Sequence, residues 1–170
     1  DNERFLVLDT DQEHLYRYSY VANTYVYDLI EKKLIKVFPG RKIMYPKVSP
    51  ASDKIAFVFE NNLYFQNLNN GKVTQITHDG RKNAVINGAS DWVYEEEFTL
   101  LNSYDWSPAG DQIAFIRFDE SHVKEYLLQY YRDSMYPVDF KFKYPKVSEE
   151  NSKVTIWNYN LVKKKLRQLH

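Results

Sequence analysis

One sequence pattern occurs three times in the chain and constrains its fold more than any other feature. In each copy an aromatic-rich apolar run ends in Leu, a polar turn follows, and the second run places an apolar residue 5 positions after that Leu. The copies cover residues 25–37, 63–76 and 154–169. Two short apolar runs joined by a polar turn are typical of a β-hairpin. The sequence therefore predicts the same β-hairpin three times.

A second repeated pattern precedes two of these hairpins, at residues 48–59 and 106–118. Each copy contains Ser-Pro, then a turn with Asp, then Ile-Ala-Phe. Ser-Pro favours a turn, and the Ile-Ala-Phe run predicts a short strand buried on both faces. A strand, this turn, the Ile-Ala-Phe strand and a hairpin make four antiparallel strands, which is the unit of a β-propeller blade. Leu29 and Leu68 are 39 residues apart, close to the ~40–50 residues of propeller repeats.

The predicted fold is all-β, with four-stranded antiparallel blades in a single partial β-propeller domain over residues 1–170. About two and a half blades are present, fewer than the ~4–8 of a closed propeller, so we expect the chain to be part of a longer protein. The blade pieces are expected at about 5–38, 43–77 and 103–169. Longer spacings between the repeats indicate two inserted loops, at about 78–102 and 119–151.

The N-terminal segment is expected to complete the first blade. Residues 5–8 form an apolar run, and residues 15–20 are rich in tyrosine. Both runs are predicted to supply the inner strands of that blade, since they precede its hairpin.

Composition excludes several classes of function. The 23 Lys and Arg residues balance 23 Asp and Glu residues, so no basic surface for nucleic acid is expected. The chain has no Cys, which excludes thiol chemistry and disulfides. The four histidines are scattered, and neither a Gly-x-Ser-x-Gly motif nor a phosphate-binding Gly-rich loop occurs. We therefore expect no cofactor and no bond-breaking residue in this chain.

The stretch 90–98 carries the most distinctive chemistry. It contains three consecutive carboxylates, and no Lys or Arg lies between residues 83 and 105. An acidic cluster without a local cation needs a cation from elsewhere: a distant side chain, a metal or a ligand ammonium. The carboxylates and the aromatic residues beside them are Glu95, Glu96, Glu97, Trp92, Tyr94 and Phe98.

Three interpretations of this stretch follow from the residues alone. It could be a solvated acidic turn or the first turn of a short helix, where carboxylates suit the helix dipole. It could bind a metal, although the Asp-x-Asp spacing of a calcium loop is missing. It could also bind an ammonium group, whose three donors suit two ionised carboxylates. Aromatic walls would lower the local dielectric and strengthen that attraction.

The same stretch resembles a known family. Asp-Trp-Val-Tyr-Glu-Glu-Glu followed by Phe, then Trp-Ser-Pro 9 residues after Glu97, and the run His-Leu-Tyr-Arg-Tyr-Ser-Tyr at 14–20 resemble the propeller domain of dipeptidyl peptidase IV, in the prolyl oligopeptidase family of serine peptidases. The resemblance implies that Glu96 and Glu97 hold the free amino terminus of a peptide substrate. It also implies that Arg17 binds a substrate carbonyl and pairs with the glutamates, and that Glu95 is structural.

The resemblance also implies partners. A C-terminal α/β-hydrolase domain would supply the catalytic Ser, Asp and His, and the whole protein would release X-Pro or X-Ala dipeptides. The tyrosine-rich insertion 119–147, called the arm below, resembles an extended arm at the family's dimer interface; the alternative is a hairpin folded back on its own blade. An extracytoplasmic or periplasmic location is expected. The competing class is a propeller that binds partners without enzyme activity.

Overall fold

A computed structural model describes residues 4–131 and 134–169. Residues 1–3, 132–133 and 170, which include two positions of the arm and His170, lie outside the described residues. The described part forms strands and one short helix: β1 (Phe5–His14), β2 (Tyr20–Asp28), β3 (Lys33–Lys36), β4 (Met44–Val48), β5 (Lys54–Phe59), β6 (Asn62–Asn67), β7 (Val73–Gln75), β8 (Val85–Asn87), α1 (Trp92–Phe98), β9 (Tyr104–Trp106), β10 (Gln112–Asp119), β11 (Glu125–Tyr130), β12 (Val138–Lys143), β13 (Lys153–Asn160) and β14 (Lys165–Leu169).

The three predicted hairpins are confirmed as antiparallel pairs β2–β3, β6–β7 and β13–β14. The middle one completes a four-stranded sheet of order β4-β5-β6-β7. The first belongs to the sheet β1-β2-β3, and the third to a sheet of order β14-β13-β10. On the other side of β10, β9 pairs with its first half and β8 with its last residues. The architecture is that of a partial β-propeller, and the all-β prediction is confirmed.

The two Ser-Pro turns form the same hydrogen bonds. Ser49 Oγ donates to Asp53 at 3.0 Å and accepts from the Lys54 backbone at 3.2 Å. Ser107 Oγ donates to Asp111 at 2.8 Å and accepts from the Gln112 backbone at 3.0 Å. The repeated sequence therefore specifies one repeated turn, because a side chain in the turn satisfies the backbone N–H that opens the following strand.

The core lies on both faces of the middle sheet. Successive side chains of a strand point to opposite faces, and β5 uses this alternation fully. Ile55 and Phe57 pack against the first sheet, in a cluster with Val26 and Val37. Ala56 and Val58 pack against the third sheet, in a cluster centred on Phe115 and its neighbours.

Two sequence-based expectations about strands were wrong. The second Ile-Ala-Phe strand is buried on one face only: Ile113 and Phe115 are buried, while Ala114 is exposed. Within the described residues no further sheet covers that outer face. In addition, residues 15–18 form a bend between β1 and β2, and only Tyr20 belongs to a strand. The Leu15 N–H donates to the Ser19 carbonyl at 2.9 Å, which closes a turn instead of extending a strand.

The arm contains the two-stranded sheet β11–β12, which pairs only with itself among the described strands. Its end is exposed, with Met135 and Tyr136 largely in solvent. Its base is buried: Phe142 is fully packed. None of the described residues belongs to a helix long and apolar enough to cross a membrane.

Candidate functional site

The three glutamates lie on α1, a helix of 7 residues with a cap at each end. At its start Asp91 accepts a hydrogen bond from the Tyr94 N–H at 2.9 Å. At its end Thr99 adopts a left-handed conformation, φ 55°, and its N–H bonds to helix carbonyls. A helix this short is unstable in isolation. Its caps and its contacts with neighbouring segments must therefore hold it in place.

Glu95 is the buried glutamate and joins α1 to the 15–19 turn. One of its carboxylate oxygens, Oε1, accepts hydrogen bonds from the backbone N–H groups of Tyr18 and Ser19, each at 2.9 Å. Hydrogen bonds to an ionised acceptor are among the stronger ones, and they offset the cost of burying the charge. Glu95 therefore fixes the position of the turn that carries Arg17 relative to the helix that carries the other two glutamates.

Glu96 forms an ion pair with the arginine of that turn. Arg17 Nε lies 3.2 Å from Glu96 Oε2, and the Arg17 side chain is 67% exposed while that of Glu96 is 13% exposed. The distant cation that the acidic cluster requires is thus brought to it from a position almost eighty residues earlier in the chain. Because the Arg17 side chain is mostly in solvent, it remains accessible to a ligand.

Glu97 is exposed and lies next to this pair. Neighbouring helix positions are rotated by about 100°, so Glu96 turns toward Arg17 while Glu97 turns into solvent. Within the part of the chain that the structure describes, no cation pairs with Glu97. The arrangement offers one carboxylate held by an arginine and a second one that is open.

The three aromatic residues of the stretch occupy different environments. Phe98 is exposed beside Glu97. The ring of Tyr94 contacts those of Phe98 and Phe118, with centroids 5.4 and 5.0 Å apart, so it joins the helix to β10. The ring of Trp92 lies on the arm. Phe98 is thus the exposed ring of the three, while the other two pack the helix against β10 and the arm.

The arm and α1 are tied together at two points. The Trp92 ring centroid lies 4.6 Å from that of Tyr144 and 5.5 Å from that of Phe142. The capping residue Asp91 accepts a second hydrogen bond, from the hydroxyl of Ser152 at the return of the arm. Neither Asp91 nor Ser152 is among the predicted site residues, although an Asp before an apolar helical run is a sequence signal for a helix cap.

A cavity of about 730 Å³ is lined in part by Glu95 and is called the inner cavity below. Its described lining includes Tyr16, Tyr45, Glu95, Phe140 and a fifth residue that the sequence analysis missed, Glu120. Burial raises the pKa of Glu120 to about 7; Asp91 and Asp119 add to the rise and Lys143 opposes it. No motif surrounds Glu120 in the sequence, so its burial could be found only from the structure.

The described residues contain no group of three or more His, Asp or Glu side chains arranged to hold a metal ion. The Tyr16 and Tyr45 hydroxyls stay protonated, since burial raises the pKa of each well above its usual value. The charged side chains of α1 and the 15–19 turn are three glutamates and one arginine.

Comparison with known proteins places these features in a family. The family described as "Dipeptidyl peptidase IV (DPP IV) N-terminal region" matches residues 1–170, the whole chain. The chain belongs to this family. The resemblance inferred from the acidic stretch is thereby confirmed.

Members of the dipeptidyl peptidase IV family with known structures and names agree with this assignment. The crystal structure of Porphyromonas gingivalis dipeptidyl peptidase 4 superposes with a TM-score of 0.92 at 39% identity, over 98% of this chain and 24% of that one. Human prolyl endopeptidase FAP is 37% identical over 160 residues, covering 92% of this chain and 21% of that protein. A probable dipeptidyl peptidase 4 of Aspergillus flavus is 39% identical over 161 residues, or 90% and 20% of the two chains. This chain therefore spans about a fifth of the length of its curated relatives.

Proposed function

We propose that this chain is the part of a dipeptidyl peptidase IV-like serine exopeptidase that recognises the amino terminus of the substrate. The observation that carries the proposal is the Arg17–Glu96 ion pair beside the exposed carboxylate of Glu97. Peptides with Pro or Ala in second position would be cut after that residue. The names of the relatives, dipeptidyl peptidases and a prolyl endopeptidase, support this substrate class.

The chemistry of capture follows from the charges. A peptide ammonium has three donors, and Glu96 and Glu97 offer ionised acceptors for them. Arg17 is free to donate to the carbonyl of the first residue while its Nε remains on Glu96. Two fixed contacts at the chain end set the distance to the scissile bond, which is catalysis by positioning. Glu95 contributes by holding the turn of Arg17 against α1.

The rest of the protein would complete the enzyme. An α/β-hydrolase domain would bring the Ser nucleophile with its His and Asp, which act by acyl transfer, and this chain alone would be inactive. The exposed aromatic end of the arm suits a dimer interface. The name of one relative, a venom dipeptidyl peptidase 4 of Vespula vulgaris, supports a secreted, extracytoplasmic location.

The direct test is carried out on the full-length protein with Glu96→Gln, Glu97→Gln and the double variant. Charge-assisted hydrogen bonds contribute roughly 1.5–3 kcal/mol each, so kcat/KM for Gly-Pro-p-nitroanilide should fall roughly 100- to 10,000-fold in the double variant. Glu31→Gln, which alters an exposed carboxylate on the β2–β3 turn, is the matched control and should leave kcat/KM unchanged. Equal activity in the double variant and the control would mean that α1 has a structural role and does not bind the substrate amine. A full-length protein without any peptidase activity would favour the binding propeller.

A further inference from the structure

The inner cavity is separate from the proposed site for the substrate amine at Arg17, Glu96 and Glu97, called the amine clamp below. Its described lining includes Glu95 but none of Arg17, Glu96 and Glu97. It is formed by the 15–19 turn, by loops of the middle sheet, and by the arm. Its volume, about 730 Å³, lies within the range of roughly 300–1,000 Å³ that is usual for small-molecule sites. The cavity is thus large enough for a ligand of its own.

Glu120 is the feature of this cavity that the fold does not explain. Its side chain lines the cavity, and the residue is 6% exposed. Among the described residues, none donates a hydrogen bond to its carboxylate. Lys143, whose charge acts on Glu120, directs its ammonium to the carbonyls of Val123 and Ser121, at 2.6 and 3.4 Å. A buried carboxyl without a donor or a paired cation costs free energy.

The surroundings of Glu120 are suited to an organic cation. Glu95 adds a second buried carboxylate to the lining, and the charges of Glu95 and Glu120 act on the Tyr16 hydroxyl. The remaining wall is largely aromatic and apolar, including Tyr45 and Phe140. Aromatic faces attract cations, and apolar walls with a few convergent polar groups are the usual composition of a ligand site.

We propose that the inner cavity binds a small primary amine with an apolar body, with its ammonium on the carboxylate of Glu120 and its body against Tyr16, Tyr45 and Phe140. The site is a second amine site, distinct from Glu96 and Glu97. The ammonium of the ligand supplies the hydrogen-bond donors that Glu120 lacks within the described chain.

The exposed part of the lining limits the ligand to one positive charge. Three cations lie there among the described residues, the exposed Arg81 and Lys82 and the half-buried Lys42, against one exposed carboxylate, that of Glu60. The Lys82 ammonium lies 5.6 Å from the centroid of the Phe140 ring, at the edge of the apolar wall. A second ammonium on the ligand would approach these cations. A monoamine should therefore bind more tightly than a diamine of the same length.

Binding should also release protons. The groups that act on the Glu120 carboxyl are Asp91 at the start of α1, Asp119 at the end of β10 and Lys143 in β12; Tyr16, from the 15–19 turn, lies close to it. With a pKa of about 7, Glu120 is partly protonated at pH 7. An ammonium favours the ionised form, so its binding expels that fraction of a proton.

The experiment uses the full-length protein with Glu96→Gln and Glu97→Gln, which removes the first amine site. Calorimetry at pH 7 should detect binding of 2-phenylethylamine and at least tenfold weaker binding of 2-phenylethanol. Proton release should appear as a binding enthalpy for the amine that varies with the ionisation enthalpy of the buffer. Adding Glu120→Gln should weaken binding of the amine at least tenfold. Glu31→Gln in the same background is the control and should change nothing.

A second variant protects the test against a folding defect in Glu120→Gln. Val138 lines the cavity and is mostly exposed, so Val138→Trp should narrow the cavity beside Phe140 and obstruct the amine without changing a buried group. The proposal is overturned if the amine does not bind in the first background, or if it binds equally well after Glu120→Gln or Val138→Trp. Failure of the proposed clamp would appear separately, as unchanged turnover of Gly-Pro-p-nitroanilide in the Glu96→Gln, Glu97→Gln protein.

Discussion

Strands β5 and β10 carry the same Ile-Ala-Phe sequence, yet they are buried to different extents. In β5 all four residues from Ile55 to Val58 are fully buried, because sheets pack on both faces. In β10 the residue equivalent to Ala56, Ala114, is exposed. The repeat thus specifies a blade strand, whereas burial of its second face depends on which neighbour is present.

The two Ala positions offer the test with the largest expected effect. In the 170-residue chain, Ala56→Asp places an unpaired charge between two packed sheets and should cost more than about 4 kcal/mol of unfolding free energy. Ala114→Asp, on the open face, should cost less than about 0.5 kcal/mol. Urea unfolding of both variants measures the difference. Similar losses for the two variants would mean that the outer face of β10 is covered.

The glutamates of α1 give a second comparison between a buried and an open group. Glu95→Ala leaves the N–H groups of Tyr18 and Ser19 without their acceptor, which should cost about 2–4 kcal/mol. Glu97→Ala should change the unfolding free energy by less than about 0.5 kcal/mol. Thermal or urea unfolding checks this. A stable Glu95→Ala variant would show that the 15–19 turn is held by other contacts.

A third, smaller effect depends on pH. It involves two carboxyl groups whose pKa values are shifted in opposite directions. Burial raises the pKa of Glu120 to about 7, while hydrogen bonds from Arg4 hold that of Asp28 at about 2. Glu120, whose pKa is raised, binds more protons in the folded state than in the unfolded state. The stability that it contributes is therefore lost as pH rises from about 4 to 7. The stability due to Asp28 is present above about pH 4 and is lost as pH falls toward 2.

Glu120→Gln should therefore stabilise the chain above pH 7, by about 1–3 kcal/mol, and should change little at pH 4. Asp28→Asn should destabilise it at pH 7 and much less at pH 2. Unfolding curves across this pH range test both signs. If the stability gain of Glu120→Gln is the same at pH 4 and pH 8, Glu120 is not an isolated buried acid.

These comparisons show how far the sequence could predict the molecule. The hairpins and Ser-Pro turns depend on residues close together in the chain, so local patterns predict them. Residues 15–19 have the composition of a strand, but the N–H groups at 18 and 19 bond to Glu95, more than seventy residues away. Only tertiary structure contains that information.

The candidate site also contains one part that the sequence marks and one part that only the structure reveals. The acidic stretch is visible in the sequence because it has no local cation, which leaves a distant side chain, a metal or a ligand ammonium as the source of one. The family resemblance indicates Arg17, and the structure places its side chain beside Glu96. Glu120 is a single acid in a long insertion, without spacing or neighbours that mark it. Its environment arises from the arm, α1 and the 15–19 turn packing together, which no local pattern encodes.

Amine recognition by Glu96 and Glu97 is tested most directly by measuring selectivity for a substrate with a free amine. We would compare kcat/KM for Gly-Pro-p-nitroanilide and for its N-acetylated form, in the full-length protein and in its Glu96→Gln, Glu97→Gln variant. We expect a preference for the free amine of at least roughly 100-fold in the unmodified protein, which falls below about tenfold in the variant. A preference that is the same in both proteins would contradict amine recognition by these two glutamates.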